Sequence, residues 1–89
     1  MRIEKSSSTV FTPLDDGRAV LLNLDTLFYY RLNRTGAALW KQIEESKTIM
    51  LDDLVRGACE RFDVDEEGAR RSVSSFVERL EEYKMVHIV

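Results

Sequence analysis

The chain has 89 residues, of which 44% are hydrophobic and 33% charged, and its net charge at pH 7 is -3. This composition predicts one soluble globular domain and argues against a wholly disordered chain. The acidic balance argues against nucleic acid as a partner, since nucleic-acid-binding domains usually carry a clustered basic face. No apolar run approaches the ~18 residues that span a bilayer. Because the amino terminus also lacks a secretion signal, we expect a cytoplasmic protein with no membrane partner.

The first predicted elements are strands. Residues 1–8 are polar and serine-rich, and we expect a flexible amino terminus there, followed by a single domain over residues 9–89. Three short strands are predicted within this domain, at residues 9–12, 18–23 and 28–32. Together they form a small antiparallel sheet, which needs other elements packed against it to be stable.

Three helices are predicted after the strands. Asn33 is the expected cap of the first helix and Asp65 that of the third. Apolar residues recur in each helix at the spacing of one helical face: Gly36, Leu39, Trp40 and Ile43 in the first, Leu51, Leu54, Val55, Ala58 and Phe62 in the second, and Ala69, Val73, Phe76, Val77 and Leu80 in the third. The apolar tail at residues 85–89 is expected to pack back on the core. Strands grouped before helices predict an α+β domain, and the short link between the last two helices suits a winged helix-turn-helix.

The sequence offers no catalytic or metal-binding set of residues. Its single cysteine, Cys59, lies beside an apolar stripe, and its single histidine, His87, lies near the carboxyl end. One cysteine cannot form an internal disulfide, and together the two residues do not make a metal site. No glycine-rich phosphate-binding loop follows a strand. We therefore predict a protein that is not an enzyme and uses no metal or other cofactor.

The third predicted strand carries large aromatic residues directly before a helix. The alternation of a strand places Phe28, Tyr30 and Leu32 on one face and Tyr29 and Arg31 on the other. If this strand lies at the edge of the sheet, its unpaired backbone N–H and C=O groups can pair with a guest strand. The aromatic run therefore indicates either core packing or a peptide-binding edge.

The stretch YYRLNRTGAALW, which follows Phe28, resembles the signature of the PqqD-like family, pyrroloquinoline quinone biosynthesis protein D and its relatives. The matching pairs are Tyr29-Tyr30, Leu32-Asn33, Thr35-Gly36 and Leu39-Trp40. The resemblance covers residues 18–86. The sequence departs from the family pattern at Leu27, where many relatives have glycine, and at Tyr83-Lys84, which replace a glycine that often ends the last helix.

The resemblance implies a winged helix-turn-helix of three strands and three helices that does not bind DNA. Domains of this kind are recognition elements for ribosomally synthesised peptides that are later modified. The leader segment of a precursor peptide is expected to add as a strand to the third strand and to lie against the third helix. The domain then presents it to a modifying enzyme, which is a radical SAM protein in pyrroloquinoline quinone biosynthesis and a leader peptidase in lasso-peptide systems.

The predicted peptide-binding residues come from the third strand and the third helix. They are Phe28, Tyr29, Tyr30, Arg31, Leu32, Arg70, Val73, Ser74 and Val77. The pocket between strand and helix is expected to contain Tyr29, Arg31, Val73 and Val77, with Arg70 and Ser74 along its rim. The guanidinium groups of Arg31 and Arg70 are expected to meet acidic residues of the leader.

The sequence is also compatible with two other functions. A winged-helix transcription regulator would read DNA with the third helix, although the acidic residues on that helix repel phosphate. A structural homodimer would form if the third strands of two protomers paired at their open edges. Binding of duplex DNA at low salt would support the regulator.

Overall fold

Six strands and three helices follow one another in the computed structural model, which describes residues 1–89. The strands are β1 (Arg2–Lys5), β2 (Thr9–Pro13), β3 (Ala19–Asn23), β4 (Tyr29–Leu32), β5 (Thr48–Met50) and β6 (Val86–Ile88). The helices are α1 (Arg34–Ser46), α2 (Leu51–Phe62) and α3 (Glu66–Glu82). This architecture confirms the predicted α+β fold, and β2, β3 and β4 are the three predicted strands. None of the helices combines the length and apolar content that crossing a membrane requires.

The predicted sheet is a meander in the order β2-β3-β4, with antiparallel neighbours. Side chains alternate between the two faces of this sheet, and those on the inner face are buried against the helices. Ala19, Leu21 and Leu32 are each at most 2% exposed. Ala19 lies opposite Leu32 in the register of β3 and β4. The meander leaves β4 at one edge of the sheet, directly before α1.

A second sheet, in the order β5-β1-β6, was missed by the sequence patterns. It corrects the expectation of a flexible amino terminus at residues 1–8, because β1 is its central strand and Ile3 is fully buried in the core. The carboxyl-terminal β6 pairs with β1, so the prediction that the apolar tail packs back is confirmed. Since this sheet lies outside the predicted architecture, the structure supports the winged helix-turn-helix label only loosely.

The predicted caps and apolar stripes define the helices. The Asn33 side chain accepts a hydrogen bond from the Gly36 N–H at 2.8 Å, and Asp65 accepts one from the Gly68 N–H at 3.2 Å. All five predicted stripe residues of α3 are buried, and so is Trp40 of α1, as expected for a core tryptophan. The buried stripes pack the helices against the sheets and fix the position of α3 relative to β4.

The central role of β1 leads to a prediction about stability. Ile3→Val removes one buried methylene and is expected to lower the free energy of unfolding by about 1 kcal/mol. Urea denaturation followed by circular dichroism measures this change. Val89→Ala is the control, since Val89 is 65% exposed and its truncation should change stability by less than about 0.5 kcal/mol. Equal stability of the two variants would contradict the placement of β1 in the core.

Candidate functional site

The outer edge of β4 has no partner strand. The Asn23 N–H donates to the Phe28 C=O at 2.9 Å, so these two residues form a hydrogen-bonded pair between β3 and the chain entering β4. This pair determines which residues of β4 turn their N–H and C=O groups toward β3. Backbone groups alternate in direction along an antiparallel ladder. The N–H and C=O groups of Tyr29 and Arg31 therefore point away from β3, toward the open edge. The protein's own carboxyl-terminal strand does not cover them, because it belongs to the other sheet.

A groove of about 530 Å³ lies between this edge and α3. Its strand wall contains Tyr30, Arg31 and Leu32, and the end of α2 and the following link add Phe62 and Val64. The α3 wall contains Ala69, Ser72, Val73, Phe76 and Arg79. The groove is thus apolar at its floor, has arginine at its mouth and runs beside unpaired backbone groups. This combination suits an extended peptide with apolar side chains.

Four of the nine predicted site residues line this groove: Tyr30, Arg31, Leu32 and Val73. Two others, Phe28 and Tyr29, lie in a neighbouring hollow of about 550 Å³ near the start of β4. Tyr83 closes that hollow, with its ring centroid 6.3 Å from that of Phe28 in an edge-on arrangement. The two concave surfaces share Tyr30 and Arg31, so they adjoin each other along the strand.

The structure does not place the other three predicted residues, Arg70, Ser74 and Val77, in the groove. Val77 is only 1% exposed and belongs to the core. Arg70 and Ser74 are on the opposite flank of the apolar stripe from Ser72, because successive residues of a helix are separated by about 100°. The predicted rim residues Arg70 and Ser74 therefore do not border this groove.

Arg70 is also occupied by acidic side chains. Its guanidinium donates to Asp52 of α2 at 2.8 Å and to Glu66, one turn earlier on α3, at 3.3 Å. The hydrogen bond from Arg70 lowers the pKa of Asp52, and the bonds to both carboxylates raise the pKa of Arg70. The pair therefore stays ionised at neutral pH and ties α2 to α3. The expectation that Arg70 meets acidic leader residues is not supported by this geometry.

Three residues that are not among the predicted site residues complete the α3 wall. Ser72, Phe76 and Arg79 follow one another at helical spacing along the flank that faces β4. The Arg79 Nε donates to the Tyr30 hydroxyl at 3.0 Å, which links α3 directly to the strand. The Tyr30 ring also packs edge-on against Tyr83, with centroids 5.1 Å apart. These contacts set the width of the groove where it opens to solvent.

Polar side chains surround the apolar floor of the groove. No group of three or more His, Cys, Asp or Glu side chains is arranged to hold a metal ion. Asp65 is the acidic residue of the lining, and its carboxylate is used to cap α3. Tyr30, Arg31 and Arg79 supply hydrogen-bond donors around an apolar floor, as a peptide-binding groove requires.

Comparison with known proteins gives one family match and similar folds. The family model described as Coenzyme PQQ synthesis protein D (PqqD) matches residues 18–86. No curated protein sequence matches the chain. The fold is similar to that of TbiB1 in complex with the TbiA(beta) leader peptide, with a TM-score of 0.85, 24% sequence identity and coverage of 97% of this chain and 96% of that one. It is also similar to a lasso peptide synthetase B1 complexed with the leader peptide, with a TM-score of 0.79, 21% identity and coverage of 97% and 98%. At these identities the likeness shows a shared fold.

Proposed function

Since this chain belongs to the PqqD family, we propose that it is a non-catalytic chaperone for the leader segment of a ribosomally synthesised precursor peptide. The leader adds as a strand to β4, lies in the groove against α3 and is presented to a modifying enzyme. The open edge of β4 beside an apolar groove is the observation that carries this proposal. The two similar folds support it, because both were solved with a leader peptide bound.

The energetics explain why both the edge and the groove are needed. Tyr29 and Arg31 each offer one N–H and one C=O to a guest strand, and each backbone hydrogen bond contributes about 1 kcal/mol net. Fixing the backbone of a flexible peptide costs about 1–2 kcal/mol per residue, so pairing alone gives little affinity. Two apolar anchors buried in the groove would add about 2 kcal/mol each. Together these two anchors would strengthen binding about a thousandfold over pairing alone.

The receiving enzyme is proposed to be a leader peptidase or a radical SAM protein, and the pathway to be located in the cytoplasm. Similarity to a lasso peptide synthetase B1 supports the peptidase, while the family description supports pyrroloquinoline quinone biosynthesis. No observation favours the DNA-binding alternative. The exposed face of α3 carries glutamates that repel phosphate: Glu66, Glu67, Glu78, Glu81 and Glu82.

A titration followed by amide NMR tests the proposal. The ligands are leader peptides encoded next to the gene of this protein, added to isotope-labelled protein. We expect the largest shifts at Tyr29–Leu32 and on the groove flank of α3, at Ser72, Phe76 and Arg79. Shifts confined to the β5-β1-β6 sheet would contradict the proposal. Saturable binding of duplex DNA at low salt would favour the regulator instead, and self-association without peptide would favour the homodimer through β4.

A further inference from the structure

The groove flank of α3 borders a second surface that carries positive charge, from Arg71 and Arg79. A polar recess of about 450 Å³ opens there, lined by Gly68, Arg71, Ser72, Ser75 and Arg79, with no apolar residue among them. Three of these residues, Gly68, Ser72 and Arg79, also line the main groove. A peptide in the groove therefore has side-chain access to the recess without leaving the strand conformation.

The two arginines of this recess form no ion pair within the protein, and neither does Arg31 on the strand wall of the groove. Arg18, Arg56 and Arg70 form ion pairs with Asp16, Asp53 and Asp52 at 2.7, 2.9 and 2.8 Å. Arg71 and Arg79 have no carboxylate oxygen within 4.0 Å. Arg71 also borders a neighbouring hollow that contains Glu67 and Glu78, although neither carboxylate lies within ion-pair distance of it.

Arg79 is held in an orientation suited to a carboxylate. Its Nε donates to the Tyr30 hydroxyl at 3.0 Å, so the head group is fixed at the groove mouth while its two terminal nitrogens have no partner. A guanidinium binds a carboxylate best through two parallel N–H donors. The serine hydroxyls of Ser72 and Ser75 add further donors around the same recess.

From this arrangement we infer that the guest of the groove is an acidic peptide, whose Asp or Glu side chains bind in the recess of Arg71 and Arg79 while neighbouring apolar residues fill the groove. The inference rests on the proposed strand addition and specifies the chemistry of the strand. It replaces the predicted role of Arg70, which is neutralised by Asp52 and Glu66. A lysine at the same position of the guest would face two guanidinium groups and be rejected.

Selection from a random peptide display library tests the inference, since it does not require a leader peptide of defined sequence. Peptides selected on the wild-type protein should contain Asp or Glu between apolar residues. A selected peptide should then bind at least about tenfold more weakly to Arg71→Gln/Arg79→Gln, the loss expected for a charge-assisted contact. Replacing its acidic residue by Asn or Gln should cost a similar factor on the wild-type protein and little on the variant. The single variant Arg71→Gln measures how much the positive charge of Arg71 contributes to binding, and it leaves the contact between Arg79 and Tyr30 intact.

Arg18→Gln/Arg56→Gln is the matched control, since it removes the same charge from arginines away from the groove and should leave binding unchanged. Equal binding losses in the two double variants would overturn the inference, because the effect would then be one of net charge. Selected peptides without acidic residues that still compete with a strand bound to β4 would overturn it while leaving the proposed function intact. Failure to select any peptide that binds at β4 would overturn both.

Discussion

Ser72→Trp is expected to weaken leader-peptide binding by at least about a hundredfold. Ser72 is exposed and lies on the α3 wall of the groove, facing the space that a guest strand on β4 would fill. An indole at this position would exclude the apolar anchors of the peptide, and the loss of two anchors at about 2 kcal/mol each exceeds the stated factor. Fluorescence polarisation of a labelled leader peptide measures the change.

Ser74→Trp is the matched control for this prediction. It introduces the same side chain two residues further along α3, on the flank away from the groove. Binding should change little, and thermal unfolding of both variants should remain close to that of the wild type. Loss of binding in Ser74→Trp, with normal binding in Ser72→Trp, would show that the peptide uses the face that the sequence predicted and would refute the groove described here.

The contrast between Ser72 and Ser74 also shows how far sequence patterns define the site. Periodicity identified the strand containing Tyr30, the helix containing Val73 and the order in which they occur. It also gave the buried stripe of α3, but a buried stripe has two flanks and helical spacing treats them alike. Only the packing of α3 beside β4 shows that the flank containing Ser72 faces the groove. Periodicity also does not distinguish a stripe residue that reaches a groove from one enclosed in the core, so Val77 was predicted to face the peptide although it is buried.

The second sheet could not be predicted because its signals are too short. β5 and β6 have three residues each, and β1 has four. Within β1 only Ile3 is fully buried, and within β6 only Val86 is. A strand that turns one residue toward the core gives no alternation to detect. Its pairing also joins the two ends of the chain, with Ile3 opposite Ile88, which no local pattern reveals.

One buried polar residue links the turn before β4 to the residues that follow α3. The Asn23 side chain accepts hydrogen bonds from the N–H groups of Asp25 and Thr26, which shape the turn before β4. Its amide nitrogen donates to the Lys84 C=O at the end of α3. Lys84 and Leu27 both have positive φ, at 63° and 64°, and both stand where the family resemblance leads one to expect glycine. The chain thus keeps the backbone geometry of these turns, and with it the spacing of strand and helix, without glycine.

Arg31→Pro is expected to weaken leader binding about thirtyfold with little loss of stability. The N–H of Arg31 points to the open edge, so its removal deletes a donor to the guest and leaves a guest carbonyl unpaired, at a combined cost of about 2 kcal/mol. The ladder between β3 and β4 does not use this N–H. Pro13 already occupies the equivalent outward-facing position on β2, the other edge of the sheet, which shows that the meander accepts proline there.

Arg31→Ala separates the backbone effect from that of the side chain. Alanine keeps the N–H and removes the guanidinium, so strand addition predicts a much smaller loss of binding for Ala than for Pro. Isothermal titration of both variants with the same leader peptide measures the difference, and urea denaturation confirms that each is folded. If the two substitutions weakened binding equally, the peptide would be recognised through the Arg31 side chain and not through the edge of β4. The edge is therefore tested by the gap between two substitutions at one residue, which a lost charge alone would not produce, provided that urea denaturation shows both variants to be equally stable.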